Sequence, residues 1–455
     1  MTNSQNLREM ALEILLEAEK NGAYPNVLLK QTLDKYLYME KQERAFLTRL
    51  VEGTVERKLT LDYYINNVSK TPVNKMKPVI RCIMRMAAYQ IFYMDAVPDS
   101  AACNEAVKLA QRKGFQTLKG FVNGVLRNLS RQKDTISLPD ETKEPVEALA
   151  VQYSVPEWLV EKIIKDYGMK NAKNMFASLY ENVGATTIRV NNSKISTEEC
   201  VKLLKKEGIH VEKAPYVDNA LEISGYDSLN FLDSFEKGYF QVQDVSSMLV
   251  GLAADPKEGD VCIDVCAAPG GKSIHVADLL NGTGHVEARD LTDYKVGLIE
   301  ENIYRCGFKN ITAKRADACI LDELARKTAD IVIADLPCSG LGVLKKKSDI
   351  KYRMSQSQIE ELVELQREIL KNAVTYVKAG GTLIYSTCTV AKEENDLQVD
   401  WILDNLPLQL VSLKGCVCDK LLENTDREGV LQLLPGREKT DGFFLAKFRK
   451  TEESY

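Results

Sequence analysis

Between residues 261 and 387, five short apolar runs (261–265, 285–290, 311–317, 330–335 and 382–387) alternate with amphipathic stretches such as 271–280, 293–306, 355–377 and 392–403. The runs are of strand length, and the stretches after them have helical length and period. Repeated strand–helix units confine this region to a mostly parallel sheet with helices on both faces. Ligands of such sheets sit beyond the carboxyl ends of the strands.

The rest of the chain keeps a different rhythm. From residue 7 to about 131 the apolar residues recur at helical spacing, as in Met10, Ile14 and Leu15 and again in Leu47, Leu50, Val51 and Val55. Breaks at Asn21-Gly22, Thr71-Pro72, Val97-Pro98-Asp99 and Lys113-Gly114 predict five or six helices, an all-α bundle. Residues 137–145 are polar and proline-flanked, a linker. Beyond it, helices over 157–166, 171–180 and 197–207 and strands over 186–190 and 220–223 predict a small α+β domain. A chain of 455 residues suits about three domains. The expected division is 1–135 helical, 136–145 linker, 146–238 small α+β and 239–455 doubly wound α/β.

No apolar run approaches the ~20 residues of a membrane span, and the amino-terminal residues lack a signal-peptide pattern, so a cytoplasmic protein is expected. The eleven cysteines include no C-x-x-C pair and only three histidines accompany them. Reduced core cysteines and no structural metal are therefore expected. The net charge of −5 argues against a nucleic-acid partner until the chain is divided. Residues 1–135 carry 21 basic against 14 acidic side chains, and the remainder carries an acidic surplus of 12. The cations Lys75, Lys77, Arg81, Arg85, Arg112, Lys113, Lys119, Arg127 and Arg131 have two readings: solvated helix faces, or a footprint for a phosphate backbone.

The first strand of the α/β region runs into Cys266, Ala267, Ala268, Pro269, Gly270, Gly271 and Lys272 before a helix begins. Small residues at a strand–helix turn let backbone approach a nucleotide. Cys266 and Ala268 stand where a dinucleotide fingerprint needs glycine, which disfavours NAD or FAD and the oxidoreductase reading. Asp290 ends the second run, where a carboxylate can accept from ribose hydroxyls, and Asp317 ends the third, within reach of an adenine amine. Asp335 ends the fourth run ahead of Pro337-Cys338-Ser339-Gly340, and Cys388 follows the fifth. Two cysteines and an aspartate thus face one crevice. Loops over a rigid sheet are where reactive groups tend to lie.

These residues resemble a known family. Residues 264–272 resemble the cofactor motif of S-adenosylmethionine-dependent RNA 5-methylcytosine methyltransferases of the NOL1/NOP2/Sun type, 335–340 their Asp-x-Pro-Cys motif and 386–389 their Thr-Cys motif. Residues 241–247 and 440–444 resemble the flanking motifs. The helical front is similar to the NusB RNA-binding fold, a fusion that points to the RsmB (Sun or Fmu) type. Departures are Leu336 for the usual Ala, and Lys345-Lys-Lys-Ser-Asp-Ile-Lys-Tyr352 where relatives often carry His-Pro-Asp-Ile-Lys-Trp. Lys345, Lys346, Lys347, Lys351 and Arg353 in that loop suggest phosphate contact, and Tyr352 a platform for a base.

The resemblance implies a Rossmann-like methyltransferase domain, S-adenosylmethionine held by Cys266 to Lys272 with Asp290, Asp317 and Asp335, and catalysis by Cys388, Cys338 and Asp335. Carbon 5 of cytosine is a poor nucleophile, so covalent addition at carbon 6 must activate the ring. Which cysteine attacks is open from the residues, because analogous DNA enzymes use the Pro-Cys cysteine. The resemblance assigns attack to Cys388 and release to Cys338. The implied substrate is 16S ribosomal RNA, free or in a partly assembled small subunit, acted on by a monomer. Alternatives are transfer RNA as substrate, or a non-catalytic RNA-binding or transcription factor with a vestigial methyltransferase domain.

Overall fold

The computed structural model describes residues 6–36, 39–181, 184–423, 425 and 427–451; most of the amino-terminal stretch examined above for a targeting signal lies outside them. Two compact units emerge, residues up to Leu179 together with Leu344–Arg353, and the remainder.

In the first unit seven α-helices are described before residue 135: Leu7–Asn21, Pro25–Lys35, Lys41–Glu56, Lys58–Val68, Pro78–Tyr93, Asp99–Arg112 and Lys119–Gln132. Helix punctuation by Gly and Pro undercounts them. The join at Arg57 is a single residue at φ −98°, ψ 15°, a small departure that needs neither. Pro78–Tyr93 buries residues all round, including Ile80, Ile83, Met84, Ala87, Ala88 and Ile91, and is the core of the bundle. It packs closely because Gly53 faces Tyr89; a Cβ at Gly53 would lie 1.9 Å from that ring. Helices Pro145–Tyr153 and Glu157–Ser178, the latter broken at Gly168 (φ 79°), group with this unit rather than with the small α+β domain.

Several of the basic residues are engaged within the bundle. Arg85 makes a bidentate pair with Asp62 at 2.7 Å and reaches Glu19, which also binds Arg81. Lys113 pairs with Glu9 and Glu13, and Arg112 with Glu9. Lys77 lies over the Phe115 ring, and Arg127 bonds Asn123.

The second unit opens with a four-stranded antiparallel sheet, β1 (Thr186–Val190), β2 (His210–Lys213), β3 (Ala220–Ser224) and β4 (Phe240–Val242), in the order β2-β3-β1-β4. Ile188, Val190, Leu221, Ile223 and Phe240 form one core with Cys200 and Leu204 of helix Thr197–Lys206. On the other face Arg189 is fully buried. It bonds Gln243 and, at 3.0 Å, Asp278 of helix Gly271–Leu279, where Asn192 and Ser193 also donate to Asp278.

The larger sheet has eight strands: β5 (Val261–Asp264), β6 (His285–Asp290), β7 (Ile311–Arg315), β8 (Ala329–Asp335), β9 (Val377–Thr387), β10 (Leu408–Leu410), β11 (Val430–Leu433) and β12 (Phe443–Lys450). The order is β10-β12-β9-β8-β5-β6-β7, with β11 on β12. Pairs among β5 to β9 are parallel, and β12 runs antiparallel to β9. Cys262, Ile331, Ile333 and Ile384 point into one core; Ile263, Val332, Ala334, Leu383 and Tyr385 point into the other. A sheet buried on both faces explains why its strands read as near-continuous apolar runs. The chain moves outward from β5 to β6 and β7, then returns to β8 on the opposite side of β5. The β5/β8 boundary is therefore the switch point where a ligand crevice opens.

Candidate active site

At that boundary β5 ends in Asp264, which is fully buried. Ser273 Oγ donates to it at 2.6 Å and the Cys266 amide at 3.3 Å. The carboxyl thereby ties the strand end to the first turn of helix Gly271–Leu279. Burial pushes it up to about 7 against the Ser273 bond. Gly270, at φ 99°, precedes the helix, which has no side-chain cap. Its amino-terminal amides thus face the turn.

Asp290 reaches the same turn. Its oxygens accept from the amides of Ala268 (2.9 Å) and Leu291 (2.8 Å) and from Lys295 (3.0 Å). Asp317 is placed less tightly than expected. β7 stops at Arg315, and Asp317 lies two residues on, exposed, with its carboxylate folded back on the Cys319 amide at 2.9 Å. It does not end a strand: the Ala316 amide makes the last bond to β6, at the Asp290 carbonyl, and Asp317 opens the turn that follows, its carbonyl bonded by the Ile320 amide.

β8 delivers Asp335 and β9 delivers Ser386 as directly paired residues. Asp335 accepts from Ser386 Oγ at 2.8 Å and pairs with Lys272 at 2.7 Å. Burial alone would depress the Lys272 ammonium; the neighbouring Asp335 outweighs it and raises it overall. One step beyond, Cys338 Sγ and Cys388 Sγ lie 3.4 Å apart as free thiols. The bond to Cys388, then burial and the charges of Glu394 and Asp335, hold the Cys338 thiol well above its ordinary value.

Three sequence motifs meet around these thiols. The Gly342 amide bonds the Cys388 carbonyl at 3.0 Å, and the Gly442 amide bonds the Gly342 carbonyl at 2.9 Å. A Cβ at Gly342 would stand 2.0 Å from the Gly442 oxygen, so this crossing requires glycine. Phe443 lies under the Lys272 ammonium, and the Asp441 amide reaches Asp244, the cap of helix Val245–Ala254.

The loop expected to meet RNA behaves differently. Lys351 is 1% exposed and donates to the Glu56 carbonyl at 2.9 Å. Tyr352 sits against Lys58 and Lys351, its hydroxyl bonded to Glu56 and Ser154, and Arg353 bonds the carbonyls of Gly22 and Ala23. These three side chains are occupied within the helical unit, so Tyr352 is no free base platform; Lys346 and Lys347 remain exposed. The loop's charge does not make it exposed, because its partners come from residues about 200 to 330 positions earlier, beyond any local pattern. Not foreseen were Asp264 as a brace and the buried Ser339, Gln366, Glu394 and Asn395 beneath the thiols, although Glu393-Glu394-Asn395 soon after Cys388 was a visible signal.

Comparison with known proteins finds matches along most of the chain. Residues 251–449 match the family described as 16S rRNA methyltransferase RsmB/F, 5–131 the NusB family, and 155–228 the ferredoxin-like domain of RsmF/B-like methyltransferases. The probable ribosomal RNA small subunit methyltransferase B of Bacillus subtilis (strain 168) is 37% identical, with 98% of each chain covered. The chain belongs to the RsmB/F family of Sun-type methyltransferases. The Escherichia coli ribosomal RNA small subunit methyltransferase B is 29% identical over 99% of this chain and 100% of its own. Among solved structures, PH0851 superposes with a TM-score of 0.82 at 25% identity, covering 99% of this chain and 100% of its own. NSun6 from Pyrococcus horikoshii with SFG has a TM-score of 0.58 at 27% identity, over 66% of this chain and 99% of its own. This member of the family is an S-adenosylmethionine-dependent RNA methyltransferase with a NusB-like front domain. Among the described residues no helix is long and apolar enough to cross a membrane.

Proposed function

We propose that this protein methylates carbon 5 of a cytosine in 16S ribosomal RNA, cytosine 967 by the family resemblance, through a covalent Cys388–cytosine adduct. The observation that carries the reading is the pair of thiols 3.4 Å apart beside the Lys272–Asp335 pair. A cytoplasmic monomer acting on free or partly assembled small-subunit RNA belongs to the same reading. The relatives' names support ribosomal over transfer RNA, and the presence of Cys338, Cys388 and Asp335 speaks against a vestigial domain.

The strand-end turn suits the cofactor: uncapped helix amides, small residues at Ala267 and Ala268, and an Asp290 carboxylate fastened beside them. Cys266 to Lys272, Asp290 and Asp317 would hold S-adenosylmethionine, which supplies an electrophilic methyl group. One structural relative solved with SFG, an S-adenosylmethionine analogue, supports that reading. In the reaction the Cys388 thiolate bonds carbon 6, and the carbon 5–carbon 6 double bond opens, giving carbon 5 enamine character. Asp335 hydrogen-bonds nitrogen 3 and the exocyclic amine, and Lys272 supplies positive charge beside the developing ring anion. After carbon 5 has taken the methyl group a base removes the carbon 5 proton, the electron pair left behind re-forms the carbon 5–carbon 6 double bond, and Cys388 Sγ leaves carbon 6 as the thiolate, with Cys338 assisting. The target base must leave its stack to reach this crevice.

Two variants test the assignment. Cys388→Ala abolishes methyl transfer to ribosomal RNA in vitro, and Cys338→Ala accumulates a protein–RNA adduct that survives denaturing electrophoresis. An active Cys388→Ala with an inactive, adduct-free Cys338→Ala reverses the roles. Transfer to transfer RNA but not to 16S ribosomal RNA replaces the substrate.

A further inference from the structure

Under the two thiols lies a polar cluster that the roles above leave unused. Glu394 is fully buried. Its Oε1 accepts from the Ser339 amide at 2.9 Å and from Gln366 Nε2 at 3.0 Å, and its Oε2 accepts from Ser339 Oγ. Ser339 Oγ is 2.6 Å from Thr389 Oγ1. The next residue, Asn395, bonds the Thr389 carbonyl at 3.1 Å and accepts from Thr387 Oγ1 at 2.7 Å. Ser339 follows Cys338, while Thr387 and Thr389 flank Cys388, so one dipeptide braces both cysteine loops. Burial pushes the Glu394 carboxyl up, while the hydrogen bonds from the Ser339 hydroxyl and amide, Gln366 and Thr389 favour its charged form.

We propose that Glu394 is a positioning residue that holds the two cysteine loops in contact and, through its charge, assigns the shared proton to Cys338, leaving Cys388 as the thiolate. The proposal rests on the covalent reading above and deepens it. The charges around the thiol pair differ on its two sides. Glu394, Asp335 from β8 and the Cys388 sulfur all disfavour a negative Cys338, whereas Lys272 attracts a negative Cys388. Tyr385 of β9 also faces this group through its bond to the Glu394 carbonyl, and burial holds its phenol well above the ordinary range, so it adds no charge. Cys338 therefore donates to Cys388 across the 3.4 Å contact, and the sulfur that receives that bond is the one that attacks.

The full-length chain and Glu394→Gln, a near-isosteric change that removes the charge, are treated briefly with iodoacetamide at pH 8, and the alkylated Cys338 and Cys388 peptides are quantified by mass spectrometry. In the unmodified protein Cys388 reacts first. In Glu394→Gln the Cys388 preference falls roughly tenfold, and turnover falls roughly 100-fold, the scale of a 1 Å misplacement, with S-adenosylmethionine affinity unchanged. Preferential alkylation of Cys338 in the unmodified protein overturns the proposal, whether or not the variant folds. An unchanged preference in a folded Glu394→Gln also overturns it. Loss of activity in Cys388→Ala alongside that unchanged preference leaves the covalent reading standing and removes only Glu394. An active Cys388→Ala removes the reading itself.

Discussion

Among single residues, Asp264 shows most clearly how burial changes chemistry. Its carboxyl rises from an ordinary 3.8 to about 7 in the fold. Between those values the native state binds more protons than the unfolded chain, so Asp264 lowers stability progressively as pH rises from about 4 to about 7, by a few kcal/mol in all. Asp264→Asn should flatten the loss of thermal stability over that window, as measured by unfolding midpoints at stepped pH. The residues proposed to react, Asp335, Cys338 and Cys388, were legible because each ends or follows an apolar run at a strand end. Asp264 was visible only as part of a motif, and Glu394 only as part of an acidic pair. Their roles depend on which donors converge on them, and Ser273 and Ser339 reach them through folding rather than through spacing.

At the scale of elements, periodicity located the helices and strands well, and misplaced their joins. β6 and helix Asp293–Cys306 have the expected bounds, because an apolar run or stripe ends there in Asp290 and Gly307. The antiparallel strands β10 to β12 were not foreseen: β10 and β11 span only three and four residues, and the eight-residue β12 is buried on both faces and shows no alternation. Packing between elements yields two predictions. Asp278→Ala strands the fully buried Arg189 guanidinium and should cost about 3–5 kcal/mol, read as a lower denaturant midpoint. Gly53→Ala drives a methyl group into Tyr89 and should destabilise the helical unit by about 1–3 kcal/mol, seen in thermal unfolding, with partial recovery when Tyr89 is also reduced to Leu.

Over the whole molecule, the ten residues Leu344–Arg353 belong to the helical unit although both flanks belong to the methyltransferase unit. Tyr352→Ala removes the hydroxyl bonds to Glu56 and Ser154 and the ring under Lys58. Trypsin should then cut at Lys345 to Lys347 several-fold faster, while cleavage elsewhere in the helical unit is unchanged; equal rates would show that the segment is held by other contacts. The basic surplus of residues 1–135 was read from composition, but Arg81, Arg85, Arg112 and Lys113 spend part of it on carboxylates of the same bundle. The order of motifs along the chain determined a helical front, a small α+β domain and a nucleotide-binding α/β domain with two cysteines at strand ends, because local period and turn chemistry are written in neighbouring residues. Only the tertiary structure decided that the two thiols touch, that Glu394 underlies both, that Lys351 is buried and that Tyr352 is engaged by Glu56 and Ser154. Those facts depend on contacts between residues tens to hundreds of positions apart, which no local pattern records.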